Sequence, residues 1–109
     1  MNKVLVVGSI NMDLVVETTR MPAPGETLTG VQFSTFHGGK GANQAVAASR
    51  LGAQVSMIGC VGEDAFGHEL LDGLRTEGID TRYVRTVRNV ATGVAVITLS
   101  QAENSIVVV

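Results

Sequence analysis

Two short runs of apolar residues constrain the fold of this chain more than any other feature. One covers Lys3 to Val7 and ends at Gly8, and the other covers Gln54 to Cys60. Short continuous runs of this kind are typical of strands buried in a parallel sheet. Because helix-type patterns flank the second run on both sides, we predict an α/β framework in which strands and helices alternate.

Both helical patterns carry signals for where a helix begins or ends. Asn43 to Leu51 has helix composition with Arg50 in its last turn, and Gly52 follows as a C-terminal cap. Asp64 is the predicted N-cap of a second helix that closes at Gly78, since apolar residues recur on one of its sides. These apolar residues are Phe66, Leu70, Leu71 and Leu74.

The remaining sequence favours β structure that a parallel sheet does not accommodate. Met21 to Gly25 contains two prolines and predicts a turn, and Ser100 to Asn104 predicts the turn of a hairpin. We therefore predict a second, small antiparallel sheet, with the glycine-rich stretch from His37 to Gly41 as a loop. The predicted strands or extended segments are Leu14 to Thr19, Thr27 to Phe36, Tyr83 to Val87, Gly93 to Leu99 and Ser105 to Val109.

Composition excludes several classes of protein. Hydrophobic residues make up 45% of the 109 positions, so the chain is not disordered. Its net charge of −2 with no basic run predicts no nucleic-acid partner. Membrane spans need about 20 apolar residues, which no stretch here approaches, so we predict no membrane insertion. The single Cys60 fits a reducing, cytoplasmic compartment.

A first group of candidate binding residues follows the first predicted strand. Asn11 and Asp13 are two positions apart, so in an extended segment both side chains leave the same face. Ligands of open α/β sheets bind outside the carboxyl ends of the strands, where this pair is expected. A carboxylate beside an amide suits the hydroxyl groups of a polyol. An Asx turn, in which either side chain caps its own backbone, fits the position equally well.

A second group lies in the glycine-rich segment Gly38 to Asn43, which contains Gly39, Lys40 and Gly41. Glycines let a backbone approach a ligand closely, and a helix start offers unpaired N–H groups. The segment matches neither the phosphate-binding P-loop nor the dinucleotide fingerprint, because Lys40 is not followed by Ser or Thr and Gln44 replaces the last glycine. A flexible strand-to-helix connection is the alternative.

Other reactive residues fit structural roles better. His37 and His68 have no partners at metal-ligand spacing, so we predict no metal site and expect a loop residue and a solvent-facing helix residue. Cys60 is expected to be a buried small apolar residue. Glu63 and Asp64 fit a helix N-terminus better than an acid–base pair.

Four motifs together resemble the ribokinase family, which also includes fructokinases and adenosine kinase. They are Gly-Ser-Ile-Asn-Met-Asp at 8–13, Pro-Ala-Pro-Gly-Glu-Thr at 22–27, Gly-Gly-Lys-Gly-Ala-Asn-Gln at 38–44 and Ala-Thr-Gly-Val-Ala at 91–95. The signature positions of the wider family are met by Gly38, Gly39, Gly41, Asn43, Ala45, Gly52 and Gly62. The resemblance extends over the whole chain.

The resemblance implies a doubly wound α/β sheet with a small β-sheet lid. By analogy, residues 1–10 and 38–88 belong to the α/β core, and residues 11–37 and 89–109 form the lid. It also implies transfer of the ATP γ-phosphate to O5 of D-ribose, with Mg²⁺, a monovalent cation such as K⁺, and a homodimer formed through the lids. The residues it places around the sugar are Asn11, Asp13, Gly38, Gly39, Lys40 and Asn43, with Ala95 as an apolar cover.

The resemblance also sets a limit, because family members are much longer than this chain. The low share of charged residues, 17% against about 25% in an average domain, and the apolar Ile106 to Val109 end indicate part of a larger enzyme. The catalytic base of the family lies beyond Val109, so we expect no catalytic residue and no kinase activity in this chain alone. The alternatives are a non-catalytic sugar-binding or dimerisation module and, disfavoured by the failed phosphate-loop patterns, a nucleotide-binding half-domain.

Overall fold

Seven strands and two helices make up the computed structural model, which describes residues 2–109. In chain order they are β1 (Lys3–Val7), β2 (Asn11–Glu17), β3 (Gln32–Gly38), α1 (Lys40–Arg50), β4 (Gln54–Gly62), α2 (Ala65–Thr76), β5 (Asp80–Val87), β6 (Val94–Ser100) and β7 (Glu103–Val108). The strands form two sheets, so the prediction of two separate sheets is confirmed.

The first sheet has the order β1-β4-β5, and all of its strands are parallel, as predicted. Alternate residues of β4, such as Val55 and Met57, point to the face on which α1 and α2 pack and are almost fully buried. The helices supply Ala45, Leu70 and Leu74 to the same cluster. The opposite face leaves Leu5, Val7 and Ile58 exposed, so the two helices within residues 2–109 cover only one face of this sheet.

The second sheet has the order β3-β2-β6-β7 and is mixed. Its outer pairs are antiparallel, but β2 and β6 are parallel, so the prediction of an antiparallel sheet is wrong for the central pair. The reason is topological, because β2 continues from β1 and β6 continues from β5. Both strands therefore leave the carboxyl edge of the parallel sheet in the same direction.

Helix α1 begins at Lys40, three residues earlier than the sequence predicts. His37 and Gly38 belong to β3, since Gly38 pairs with Asn11 of β2. The predicted loop from His37 to Gly41 is therefore wrong, and only Gly39 lies between strand and helix.

Other element ends also differ from their predictions. The hairpin between β6 and β7 turns on Gln101 and Ala102 alone, both with positive φ, as a two-residue turn of this hand requires. Strand β5 begins at Asp80 rather than at Tyr83. Thr27 to Gly30, predicted as part of a strand, lie outside β3. The cap of α2 is confirmed, because the Asp64 side chain accepts a hydrogen bond from the backbone N–H of Gly67.

The division into core and lid at residues 1–10 with 38–88 and 11–37 with 89–109 stays a prediction. Strand pairing describes two sheets and does not establish that they move or fold as separate units. Within residues 2–109, neither helix combines the length and the hydropathy needed to cross a bilayer.

Candidate functional site

Asn11 and Asp13 lie on one face of β2, as their spacing predicts. Met12 between them is fully buried on the other face and belongs to the core cluster. Both polar residues are half-buried within a strand that is paired on both sides. The ladder therefore excludes the Asx turn and leaves both side chains facing away from the core.

The Asp13 carboxylate lies directly over the backbone of Gly38. A methyl group at Gly38 would overlap the carboxylate, so only glycine allows this approach. Partial burial raises the pKa of the Asp13 carboxyl, and no hydrogen bond or cation within residues 2–109 contributes to the shift. The carboxylate is thus a sheltered acceptor whose oxygens are available to a ligand with hydroxyl groups.

The glycine-rich segment is held against the end of β1 by direct contact between two backbones. Gly39 has a φ of 97°, and a side chain there would begin 2.5 Å from the carbonyl oxygen of Ser9. A side chain on Gly41 would begin 2.7 Å from the backbone of Gly8. The backbone N–H of Ala42 donates to the Ser9 oxygen at 3.0 Å. The glycines therefore serve a fixed chain crossing, in contrast to the flexible connection considered from the sequence.

Lys40 and Asn43 occupy the first turn of α1, next to this crossing, and both are exposed. No side chain caps the start of α1 at Gly39. No hydrogen bond joins Lys40 or Asn43 to Asp13 within the described part of the chain. Asn43 also borders a groove between α1 and α2. Gly38 thus lies opposite Asn11 in the ladder and against the Asp13 carboxylate, and Lys40 and Asn43 lie in the helix turn that begins two residues later.

Ala95 is the buried neighbour of Asp13 in β6, one strand away in the same register. Residues paired in this way point to the same face of a sheet, so Ala95 flanks the carboxylate, and its role as an apolar cover stays a prediction. Phe36 flanks Asp13 on the other side, directly opposite it in β3, with 56% of its surface exposed. Sequence reasoning missed Phe36 because only the pairing register places it beside Asp13.

The remaining candidates, two histidines and the cysteine, lie outside this cluster. His37, expected in a loop, lies in β3, where it pairs with Glu69 at 3.0 Å. His68 is exposed on α2, as expected. Cys60 is exposed, so the prediction of a buried residue is wrong, because it points to the face of β4 that α1 and α2 leave open. Within residues 2–109, no three His, Cys, Asp or Glu side chains are grouped so as to hold a metal ion.

Asp64 does more than cap α2. Its carboxylate also accepts hydrogen bonds from the hydroxyl and the backbone N–H of Thr92, at 2.6 and 2.8 Å. These bonds, with the one from Gly67, hold the pKa of the Asp64 carboxyl below its usual value. The cap was predictable from the sequence, whereas the partner 28 residues away was not.

Known proteins match the chain along its whole length. Residues 1–109 match the pfkB family of carbohydrate kinases. Ribokinase of Bacillus subtilis is 50% identical over 109 residues, which are 100% of this chain and 37% of that protein. The chain therefore spans about a third of the length of the curated relatives that it matches.

Solved structures of ribokinases share the fold. The structure of ribokinase from Cryptococcus neoformans var. grubii with ADP has a TM-score of 0.89 and 37% identity, over 100% of this chain and 35% of that one. Arabidopsis thaliana ribokinase with ribose and ATP has a TM-score of 0.88 and 40% identity, over 99% of this chain and 35% of that one. The resemblance drawn from four motifs is confirmed, and the chain belongs to the pfkB family of carbohydrate kinases.

Proposed function

We propose that this chain is the sugar-binding part of a ribokinase-like enzyme that transfers the γ-phosphate of ATP to O5 of D-ribose. The observation that carries the proposal is the Asp13 carboxylate, which is half-buried over Gly38 and has no protein partner within residues 2–109. A sheltered acceptor of this kind gains most from a ligand that donates two neighbouring hydroxyl groups. Family membership and the ribose named with the Arabidopsis structure support the choice of sugar.

The other residues have complementary roles in this proposal. The amides of Asn11 and Asn43 both donate and accept hydrogen bonds, so they orient the remaining hydroxyl groups. Gly38 makes room for the Asp13 carboxylate and Gly39 fixes the chain crossing before α1, so both shape the sugar site, and Lys40 adds a cationic donor at the start of α1. Ala95 covers an apolar face of the sugar beside Asp13. Together these residues bind and orient the substrate, and none of them is assigned as the catalytic base.

ATP is the proposed phosphoryl donor, with Mg²⁺ and a monovalent cation such as K⁺. The relatives named with ADP and with ATP support nucleotide use. The glycine-rich segment does not fit a phosphate chain at these positions, because the backbone of Ser9 and Gly8 fills the space beside Gly39 and Gly41. No cluster of metal ligands occurs within residues 2–109 either. No step of the phosphoryl transfer is therefore assigned to residues 2–109.

A homodimer formed through the outer sheet and a cytoplasmic location complete the proposal. Both faces of the β3-β2-β6-β7 sheet carry exposed apolar residues, including Phe33 and Val107 on one face and Ile106 on the other. A second copy would cover such a surface. Light scattering of the intact protein tests this point, and a monomer at micromolar concentration would contradict it. The exposed Cys60 thiol is compatible with a reducing compartment.

The Asp13→Asn variant of the intact protein that contains this sequence tests the proposed function. An amide keeps the shape but replaces one acceptor oxygen by a donor, so kcat/KM for ribose is expected to fall by about 10- to 100-fold. Asp72→Asn is the matched control, because Asp72 is an exposed carboxylate on α2. Equal ribose kinetics for wild type and Asp13→Asn would contradict the assignment. Ribose binding without ATP-dependent phosphorylation would instead favour the non-catalytic sugar-binding module.

A further inference from the structure

A buried threonine ties the start of β6 to the start of α2. Thr92 is 5% exposed, and its hydroxyl donates to Oδ1 of Asp64 at 2.6 Å. The same hydroxyl accepts from the backbone N–H of Gly62 at 2.9 Å. The backbone N–H of Thr92 donates to Oδ2 of Asp64 at 2.8 Å. The hydroxyl of Thr92 is therefore bonded to the end of β4 and to the cap of α2, and its backbone N–H is bonded to the same cap.

Two further contacts, at Asp64 and at Gly62, hold Thr92 in this position. Asp64 also caps α2 through Gly67, so its carboxylate position is set by the helix start. A side chain at Gly62 would begin 2.5 Å from the backbone nitrogen of Thr92. Charge-assisted hydrogen bonds at a helix N-terminus are among the stronger ones in proteins. The start of β6 is consequently anchored to one fixed point of the fold.

This anchor acts on the candidate sugar site through the next residue, Gly93. The carbonyl oxygen of Gly93 accepts from the backbone N–H of Met12 at 3.0 Å, which aligns β6 with β2. A side chain on Gly93 would begin 2.7 Å from Oδ1 of Asn11, so the Asn11 amide rests against this backbone. Two residues further on, Ala95 lies beside Asp13.

We propose that Thr92, held by Asp64, is a positioning residue of the sugar site, which sets Gly93 against Asn11 and Ala95 against Asp13. The proposal rests on the proposed function for its kinetic readout. Thr92 touches no substrate in this scheme. It acts by fixing the distance between the two strands that present the binding side chains.

Thr18 provides a matched control for the loss of a buried hydroxyl. It is 8% exposed, and its hydroxyl donates to the carbonyl oxygen of Arg20 at 2.8 Å. It follows the far end of β2, away from Asn11 and Asp13. Replacing Thr18 by Val therefore removes a buried hydroxyl and its hydrogen bond without moving the start of β6.

The experiment compares Thr92→Val, Thr92→Ser and Thr18→Val in the intact protein, with ribose and ATP varied separately. Thr92→Val is expected to raise the KM for ribose about tenfold and to leave the KM for ATP within about twofold, because only β6 and β2 are displaced. Thr92→Ser keeps a hydroxyl, so its KM for ribose is expected to stay within about twofold of the wild-type value. Thr18→Val is expected to lower the thermal midpoint without changing the KM for ribose.

A second readout does not depend on the reaction. The side-chain amide signals of Asn11 in a two-dimensional nitrogen–proton NMR spectrum are expected to shift in Thr92→Val and to return in Thr92→Ser. If Thr92→Val does not fold, Asp64→Asn keeps a capping side chain and serves in its place. Unchanged Asn11 signals, or an equal rise in ribose KM for Thr18→Val, would overturn the positioning role. Absent ribose turnover in the wild type with shifted Asn11 signals would overturn only the proposed function.

Discussion

The two sheets of this protein differ in what their side chains contact. In the β1-β4-β5 sheet, Val55 and Met57 are at most 2% exposed beneath the helices. In the β3-β2-β6-β7 sheet, Phe33, Phe36 and Ile106 each keep more than half of their surface exposed. One face of the first sheet is therefore buried beneath the helices, whereas the second sheet leaves large apolar side chains in contact with water. The candidate sugar site lies where β2 of the second sheet leaves the core.

The largest difference between the two sheets is expected in how much their side chains contribute to the free energy of unfolding. Met57→Ala removes a fully buried side chain and is expected to lower the free energy of unfolding by about 2–5 kcal/mol. Ile106→Ala is expected to cost less than about 1 kcal/mol, because more than half of that side chain already contacts water. Denaturant unfolding measures both, at a concentration where light scattering shows monomers. Equal losses would mean that side chains of the two sheets contribute alike to the free energy of unfolding, in spite of their different burial.

The backbone contact between the end of β1 and the start of α1 is expected to have a smaller effect on stability. Gly41→Ala places a methyl group 2.7 Å from the backbone of Gly8, which cannot move aside, so a loss of about 3 kcal/mol is expected. Gly25→Ala is the control, since its φ is 77° and nothing lies within 4 Å of the added carbon. Backbone strain alone there costs about 1 kcal/mol. Thermal and denaturant unfolding distinguish these values, and a similar loss in both variants would argue against the backbone contact.

The smallest expected effect is a difference in the KM for ribose between variants on the two faces of the β3-β2-β6-β7 sheet. Phe36 lies on the face of Asp13, and Phe33 lies on the opposite face of the same strand with similar exposure. Phe36→Ala removes an apolar neighbour of the carboxylate and is expected to raise the KM for ribose by about three- to tenfold. Phe33→Ala is expected to leave it unchanged. Steady-state kinetics test the pair in the intact protein, with light scattering to confirm equal assembly, and identical values would remove Phe36 from the site.

Elements with local signals were predicted well. Strands β1 and β4, and α2 with its cap Asp64, follow from apolar runs and from capping residues a few positions apart. The predictions that failed depend on partners distant in sequence. Gly38 joins β3 because it pairs with Asn11, and Cys60 is exposed because no helix of residues 2–109 covers its face. Neither the pairing of Gly38 with Asn11 nor the uncovered face at Cys60 can be predicted from the neighbouring residues.

In the candidate site too, the local arrangement was predictable and the distant contacts were not. The period of two along a strand places Asn11 and Asp13 on one face without any knowledge of the fold. Phe36 and Thr92 lie 23 and 79 positions beyond Asp13. Only strand pairing places Phe36 beside Asp13, and only the Asp64 hydrogen bonds hold Thr92 at the start of β6. The candidate binding residues were thus visible in the motifs, whereas the residues that contact them from distant segments were not.

By itself, the sequence determined the family, the alternation of buried strands and helices, and the face shared by Asn11 and Asp13. These properties depend on side-chain periodicity and capping, which act over a few residues. Only the tertiary structure decided that β2 and β6 run parallel, that Asp13 lies over Gly38, and that Thr92 anchors the start of β6. Those contacts join distant segments, because buried polar groups and close backbone approaches are satisfied only when the whole chain has packed.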